Sequence, residues 1–128
     1  MKPKTSNTLR PALILIAFLP LLAGCAESAY VVTVFLETDT EEDHTYTMSV
    51  LQGGDVVESR TSSPPANFPF QNVVMSPSVA GSEATVQIEE NGVVLGSTKV
   101  RPQDCSSGEV AVTIHATDDG ATLTAQCN

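Results

Sequence analysis

The chain has 128 residues and a formal net charge of −9, with 15 acidic against 6 basic side chains. That acidity excludes a nucleic-acid backbone as partner, because neutralising phosphates requires clustered Lys and Arg. The length suits one globular domain with a real core.

Lys2, Lys4 and Arg10 open the chain without an acid among them, and Ala12 to Leu22 is apolar apart from Pro20. A basic stretch followed by an apolar one of this length reads as a secretory signal peptide. It is shorter than the roughly 20 apolar residues of a spanning helix. Small residues, Ala23 and Gly24, then precede Cys25. Leu22-Ala23-Gly24-Cys25 resembles the lipobox of bacterial lipoproteins. The resemblance implies removal of residues 1–24 as a signal peptide. It also implies a diacylglycerol on the Cys25 thiol, a further acyl chain (palmitate or similar) on the new amine, and no other cofactor. At about 0.8 kcal/mol per buried CH₂, several such chains make a stable anchor. Ala26 stands where an aspartate would signal inner-membrane retention, so the resemblance implies the outer membrane where the host has two. All fifteen acids follow Cys25 and three of the six basic residues precede it. The acyl chains, not headgroup attraction, would therefore hold the domain to the membrane. Residues 25–29 form a short tether reaching roughly 17 Å when extended.

From residue 30 to 128 the chain reads as strands. "YVVTVFLE" from Tyr30 is a strand with imperfect alternation. "TYTMSVLQ" from Thr45 puts Tyr46, Met48 and Val50 on one face. "NFPFQNVVM" from Asn67 is a strand that Pro69 makes late-starting or marginal to its sheet. "SEATVQIEE" turns Ala84, Val86 and Ile88 inward, "GEVAVTIHAT" turns Val110, Val112, Ile114 and Ala116 inward, and "ATLTAQC" turns Leu123, Ala125 and Cys127 inward. Gly53-Gly54, Asn91-Gly92 and Asp119-Gly120 are expected at two-residue hairpin turns. These turns would set Val50 against Val57, Ile88 against Leu95, Ile114 against Ala125 and Val112 against Cys127. The outcome is an all-β antiparallel sandwich of about seven to eight strands. Its architecture resembles immunoglobulin or fibronectin type III domains, with a transthyretin-like sandwich as the alternative.

Cys105 and Cys127 remain as an even pair in an exported domain, which predicts one disulfide. Their Cα atoms must then lie within about 7 Å, with the loop carrying Cys105 folded back across the last hairpin. The densest polar stretch is "ETDTEEDH", Glu37 to His44. Asp39, Glu41 and Asp43 alternate as calcium-loop ligands do. His44 and Val50, however, occupy the positions where an EF-hand requires Gly and Glu. The stretch therefore reads as a solvated acidic loop with these three as weak metal candidates only, which Asp118 and Asp119 would join if their loops share an end of the sandwich. No GxSxG, HExxH or glycine-rich phosphate loop appears, which argues against an enzyme. Phe68 and Phe70, beside the Pro64-Pro65 loop, are the candidate partner-binding residues. The expected role is a non-catalytic protein-binding or structural module of the cell envelope. The alternative is an exported module for carbohydrate or calcium, although the chain has no Trp on which to stack a sugar.

Overall fold

The computed structural model describes residues 30–128. The signal peptide 1–24, Cys25 and the tether 25–29 lie outside the described residues. Nine strands follow one another: β1 (Tyr30–Asp39), β2 (Tyr46–Gln52), β3 (Asp55–Ser62), β4 (Phe70–Met75), β5 (Ser78–Val79), β6 (Ala84–Glu90), β7 (Val93–Val100), β8 (Glu109–Thr117) and β9 (Gly120–Cys127). A single 3-10 turn, Pro102–Asp104, precedes β8.

The strands form a sandwich of two sheets. One runs β4-β1-β8-β9, with β5 also paired to β1, and the other runs β3-β2-β6-β7. β1 is antiparallel to β4 and parallel to β8. In an immunoglobulin domain the second and third strands belong to different sheets. Here β2 and β3 form a hairpin within one sheet. This connectivity differs from that of an immunoglobulin domain, and what stands is a nine-stranded sandwich of two antiparallel-rich sheets.

Alternation built the core as expected. Val32, Val34 and Leu36 of β1, with Val112, Ile114 and Ala116 of β8, face Tyr46, Met48 and Val50 of β2 and Val86 and Ile88 of β6. All are fully buried. Pro69 lies just outside β4, which starts at Phe70 and forms an edge of its sheet.

The margins depart from the expected pattern. β9 is an edge strand, so Leu123 is only partly buried and Ala125 and Cys127 are exposed, although all three keep the inward-facing phase. Its turn also differs. Thr117 pairs with Gly120, so the turn residues are Asp118 and Asp119, and Ile114 meets Leu123 while Val112 meets Ala125. This two-residue shift preserves every face, which is why alternation could not detect it. The other two turns fall where expected, with positive φ at Gly53, Gly54, Asn91 and Gly92. A bulge then follows in each hairpin, so Val50 pairs with Glu58 and Ile88 with Gly96 instead of Val57 and Leu95. One extra residue in β3 and one in β7 break the register that a regular ladder would hold.

The two flanks of the sandwich are finished differently. Glu58 and Arg60 of β3 pair with the core residues Val50 and Met48 and so share their face. They form an ion pair at 3.2 Å. Charges pointing inward from an edge strand discourage pairing with another chain. On the opposite flank β7 lies against β9. A Cβ on Gly96 would stand 2.7 Å from Leu123 Cδ1 and 3.2 Å from the Ala121 carbonyl oxygen. Gly96 thus suits the close approach of the two sheets, where any side chain would displace Leu123 and press on the Ala121 carbonyl. Near the C-terminus, Cys105 and Cys127 form the expected disulfide with Cα atoms 5.5 Å apart. Closing a loop of that 22-residue separation contributes about 3 kcal/mol in the chain-entropy account.

Replacing Gly96 by Val should force β7 away from β9 and cost about 1–3 kcal/mol through overpacking. Urea denaturation of the variant beside the parent checks this, and an unchanged midpoint would contradict the tight β7–β9 contact.

Candidate functional site

Strand direction sorts the loops. β1 and β8 run the same way, and each hairpin reverses from there. The segment 40–45, the loop 63–69, the turn at Asn91-Gly92 and the turn at Asp118-Asp119 therefore gather at one end. Tyr30, the Gly53-Gly54 turn, the disulfide and the C-terminus gather at the other.

The first of these ends carries the densest polar network. His44 precedes β2 and its ring stacks on Tyr46, with centroids 5.4 Å apart and planes 9° from parallel. Nδ1 lies 2.8 Å from Glu90 Oε2 at the end of β6, and Nε2 lies 2.8 Å from Asp118 Oδ1 in the β8–β9 turn. Ionised carboxylates can only accept, so the two bonds form together only when both ring nitrogens donate, that is, when His44 is protonated. It ties one sheet to the other through two charge-assisted bonds. Hydrogen bonding to Asp118 first, then to Glu90, holds its pKa above the ordinary histidine value.

Asp118 has further donors. The backbone N–H groups of Glu41 and Glu42 reach its carboxylate at 2.8 and 3.2 Å. The Glu41 amide foremost, with the His44 bond next, holds the Asp118 carboxyl below its usual range. The same loop reaches the other way. The Asn67 N–H donates to the Thr40 carbonyl at 2.6 Å, and Asn67 Nδ2 donates to the Glu41 carbonyl at 3.3 Å. Asn67 itself has a positive φ of 59°. Segment 40–45 thus joins Asn67, Asp118 and, through His44, Glu90. Beneath His44, Tyr46 is fully buried and its hydroxyl finds no partner among the described residues. Burial foremost, with the Glu90 and Asp118 charges, pushes its pKa up to about 12.

The metal candidates Asp39, Glu41 and Asp43 are not brought together as a site. All three are exposed. Among the described residues the group whose possible ligand atoms lie within 4.8 Å of one another is Glu42, His44 and Asp118. The alternation failed as a guide because the loop is organised by its backbone, which wraps the Asp118 carboxylate. One imidazole nitrogen and two carboxylates would suit a transition metal better than calcium. A metal there would need the Nε2 lone pair, which the hydrogen bond to Asp118 occupies with a proton.

Phe68 and Phe70 separate. Phe68 is 64% exposed at the loop end of the sandwich. Phe70 opens β4, pairs with Thr38 and is partly buried against the core cluster. Lipidation at Cys25 falls outside the described residues. His44, Glu90 and Asp118 as a unit escaped the sequence reading because they are 46 and 74 positions apart. The available signal was the condition that Asp118 share an end with the acidic loop, and it does.

No protein-family model matches the chain, and no curated protein matches it significantly. One solved structure, described as "Trapped Toxin", aligns with 77% of this chain and 23% of its own, at 9% identity and a TM-score of 0.35. The chain spans under a quarter of that structure's length, and a likeness of this degree carries no argument.

The network fixes a pH window. His44 has a raised folded pKa, so its contribution is fully present below about 6.5 and is lost as pH rises through the raised value. Asp118 has a lowered folded pKa, so its contribution is present above about 3.9 and is lost as pH falls through the lowered value. Replacing His44 by Phe keeps the ring on Tyr46 and removes both bonds. Thermal melts across this range should show the variant a few degrees below the parent in the weakly acidic window, with the gap closing at alkaline pH. A gap that is absent or constant with pH would contradict the imidazolium.

Proposed function

We propose that this chain is a lipid-anchored, non-catalytic module of a bacterial cell envelope that meets a protein partner at the end farthest from its anchor. The observation that carries the reading is the Leu22-Ala23-Gly24-Cys25 motif behind a basic and then apolar stretch. Three features support it. The Cys105–Cys127 disulfide suits an oxidising compartment. Tyr30, only five residues beyond Cys25, starts at the end opposite the acidic loops, so a short tether would leave those loops facing away from the bilayer. Phe68 stands exposed among them. A non-catalytic role is supported by His44, whose nitrogens are both engaged by carboxylates and offer no free base.

The intact mass of the membrane-extracted protein, with and without reduction, tests the anchor. The expected mass starts at Cys25 with acyl chains added, and Cys105 and Cys127 become alkylated only after reduction. A chain retaining Met1, or an unlipidated mass, would sink the reading. The contact surface is tested by a photo-crosslinker beside Phe68 in the native envelope. Phe68→Ser should reduce the crosslinked adduct several-fold without shifting the melting temperature. An adduct of undiminished yield would remove Phe68 from the interface.

A further inference from the structure

The His44 network does more than join two sheets, because the loop it holds also holds the segment that displays Phe68. Facing His44 are Glu90 from β6, Asp118 from the β8–β9 turn and Glu42 from its own loop, with the Tyr46 ring of β2 against its face. Glu41 and Asp43 flank these in the exposed loop, and Asp119 follows Asp118. The basic side chains among the described residues, Arg60, Lys99 and Arg101, are paired elsewhere, with Glu58, Glu83 and Asp104. His115 of β8 lies 3.8 Å from Glu37, away from this cluster, so the group that can bring positive charge between Glu90 and Asp118 is His44.

We infer that protonation of His44 controls the order of segment 40–45 and, through Asn67, the presentation of Phe68 to a partner. The inference rests on the partner-binding reading of Phe68, but its mechanism lies in the described residues alone. With the proton in place, Nδ1 and Nε2 both donate, segment 40–45 is drawn onto Asp118, and its Thr40 and Glu41 carbonyls stand where Asn67 binds them. When the proton leaves, one nitrogen becomes an acceptor facing a carboxylate that can only accept. One of the two bonds becomes a repulsion, and the surrounding carboxylates lose the cation that offsets their mutual repulsion. The segment loosens, and the Asn67 bonds that fix the backbone before Phe68 loosen with it. Phe68 is thus displayed on an ordered loop at pH values below the raised His44 pKa, and not above it.

Hydrogen–deuterium exchange of the full-length protein in detergent micelles, corrected for intrinsic pH dependence, reads this directly. As pH rises through the His44 titration, protection in segments 40–45 and 63–69 should fall together, at least tenfold more than in β1 and β8. In His44→Phe both segments should be weakly protected at every pH, while β1 and β8 stay protected, which shows that the variant is folded. Asp118→Asn, which removes the charge and leaves one oxygen for the Glu41 or the Glu42 amide but not both, should weaken the coupling. Protection in 63–69 that ignores pH, or that survives in His44→Phe, would overturn the inference, even if 40–45 responds. No partner enters the measurement, so failure of Phe68 as an interface residue would appear only in the crosslinking yield.

Discussion

The parallel pairing of β1 with β8 is the constraint on which the rest depends. Parallel neighbours cannot be joined by a tight turn and require a long crossover. Here the crossover includes the whole second sheet, β2, β3, β6 and β7, laid over the first. β1 is thereby buried in the middle of its sheet, between β4 and β8, with Val32, Val34 and Leu36 wholly shielded from solvent. Its direction also decides which loops meet. With β1 and β8 pointing the same way, segment 40–45 and the Asp118-Asp119 turn leave the sheet at one end, and the β6–β7 turn arrives there from the other sheet.

Each end is then closed by different chemistry. At the end where Tyr30 begins, Cys105 and Cys127 form a covalent staple that no ordinary pH change opens. The opposite end is held by hydrogen bonds converging on His44 and Asp118, and these depend on protonation. This convergence explains how an acidic chain tolerates several carboxylates in one place. Backbone amides of Glu41 and Glu42 and a single imidazolium satisfy them, without Lys or Arg.

The interior was legible from alternation and the margins were not. In β6 period two in the sequence is period two in burial, and β2 and β8 keep it apart from Ser49 and Ala111, which are buried on the opposite face. β9 has the same alternation but lies at an edge, where an inward direction no longer means a covered one. Gly53-Gly54 and Asn91-Gly92 announce turns through the positive φ they adopt. The turn at Asp118-Asp119 needs no positive φ at its central residues, and placing Asp118 there lets its carboxylate meet the neighbouring loop. Bulges after two of the turns moved the pairing by one residue, a local irregularity that composition does not encode. The disulfide could be read because the lipobox resemblance sets Cys25 aside and leaves Cys105 and Cys127 to pair. The His44 network could not, because three residues distant in sequence meet only once the strand order is known. Phe68 and Phe70 look equivalent in the sequence. Pro69 between them ends the loop and starts the strand, leaving one in solvent and the other on the core.

The central claim is that His44 is a cation held between two carboxylates, and long-range ¹⁵N–¹H correlation of the imidazole rings tests it most directly. The chain has two histidines, so a His115→Gln variant assigns the signals. Below the ordinary histidine pKa of about 6.5 the account predicts that both His44 nitrogens carry protons, with shifts characteristic of imidazolium. A neutral tautomer in that range, with one nitrogen bare, would contradict the account and leave the acidic end without its organising charge.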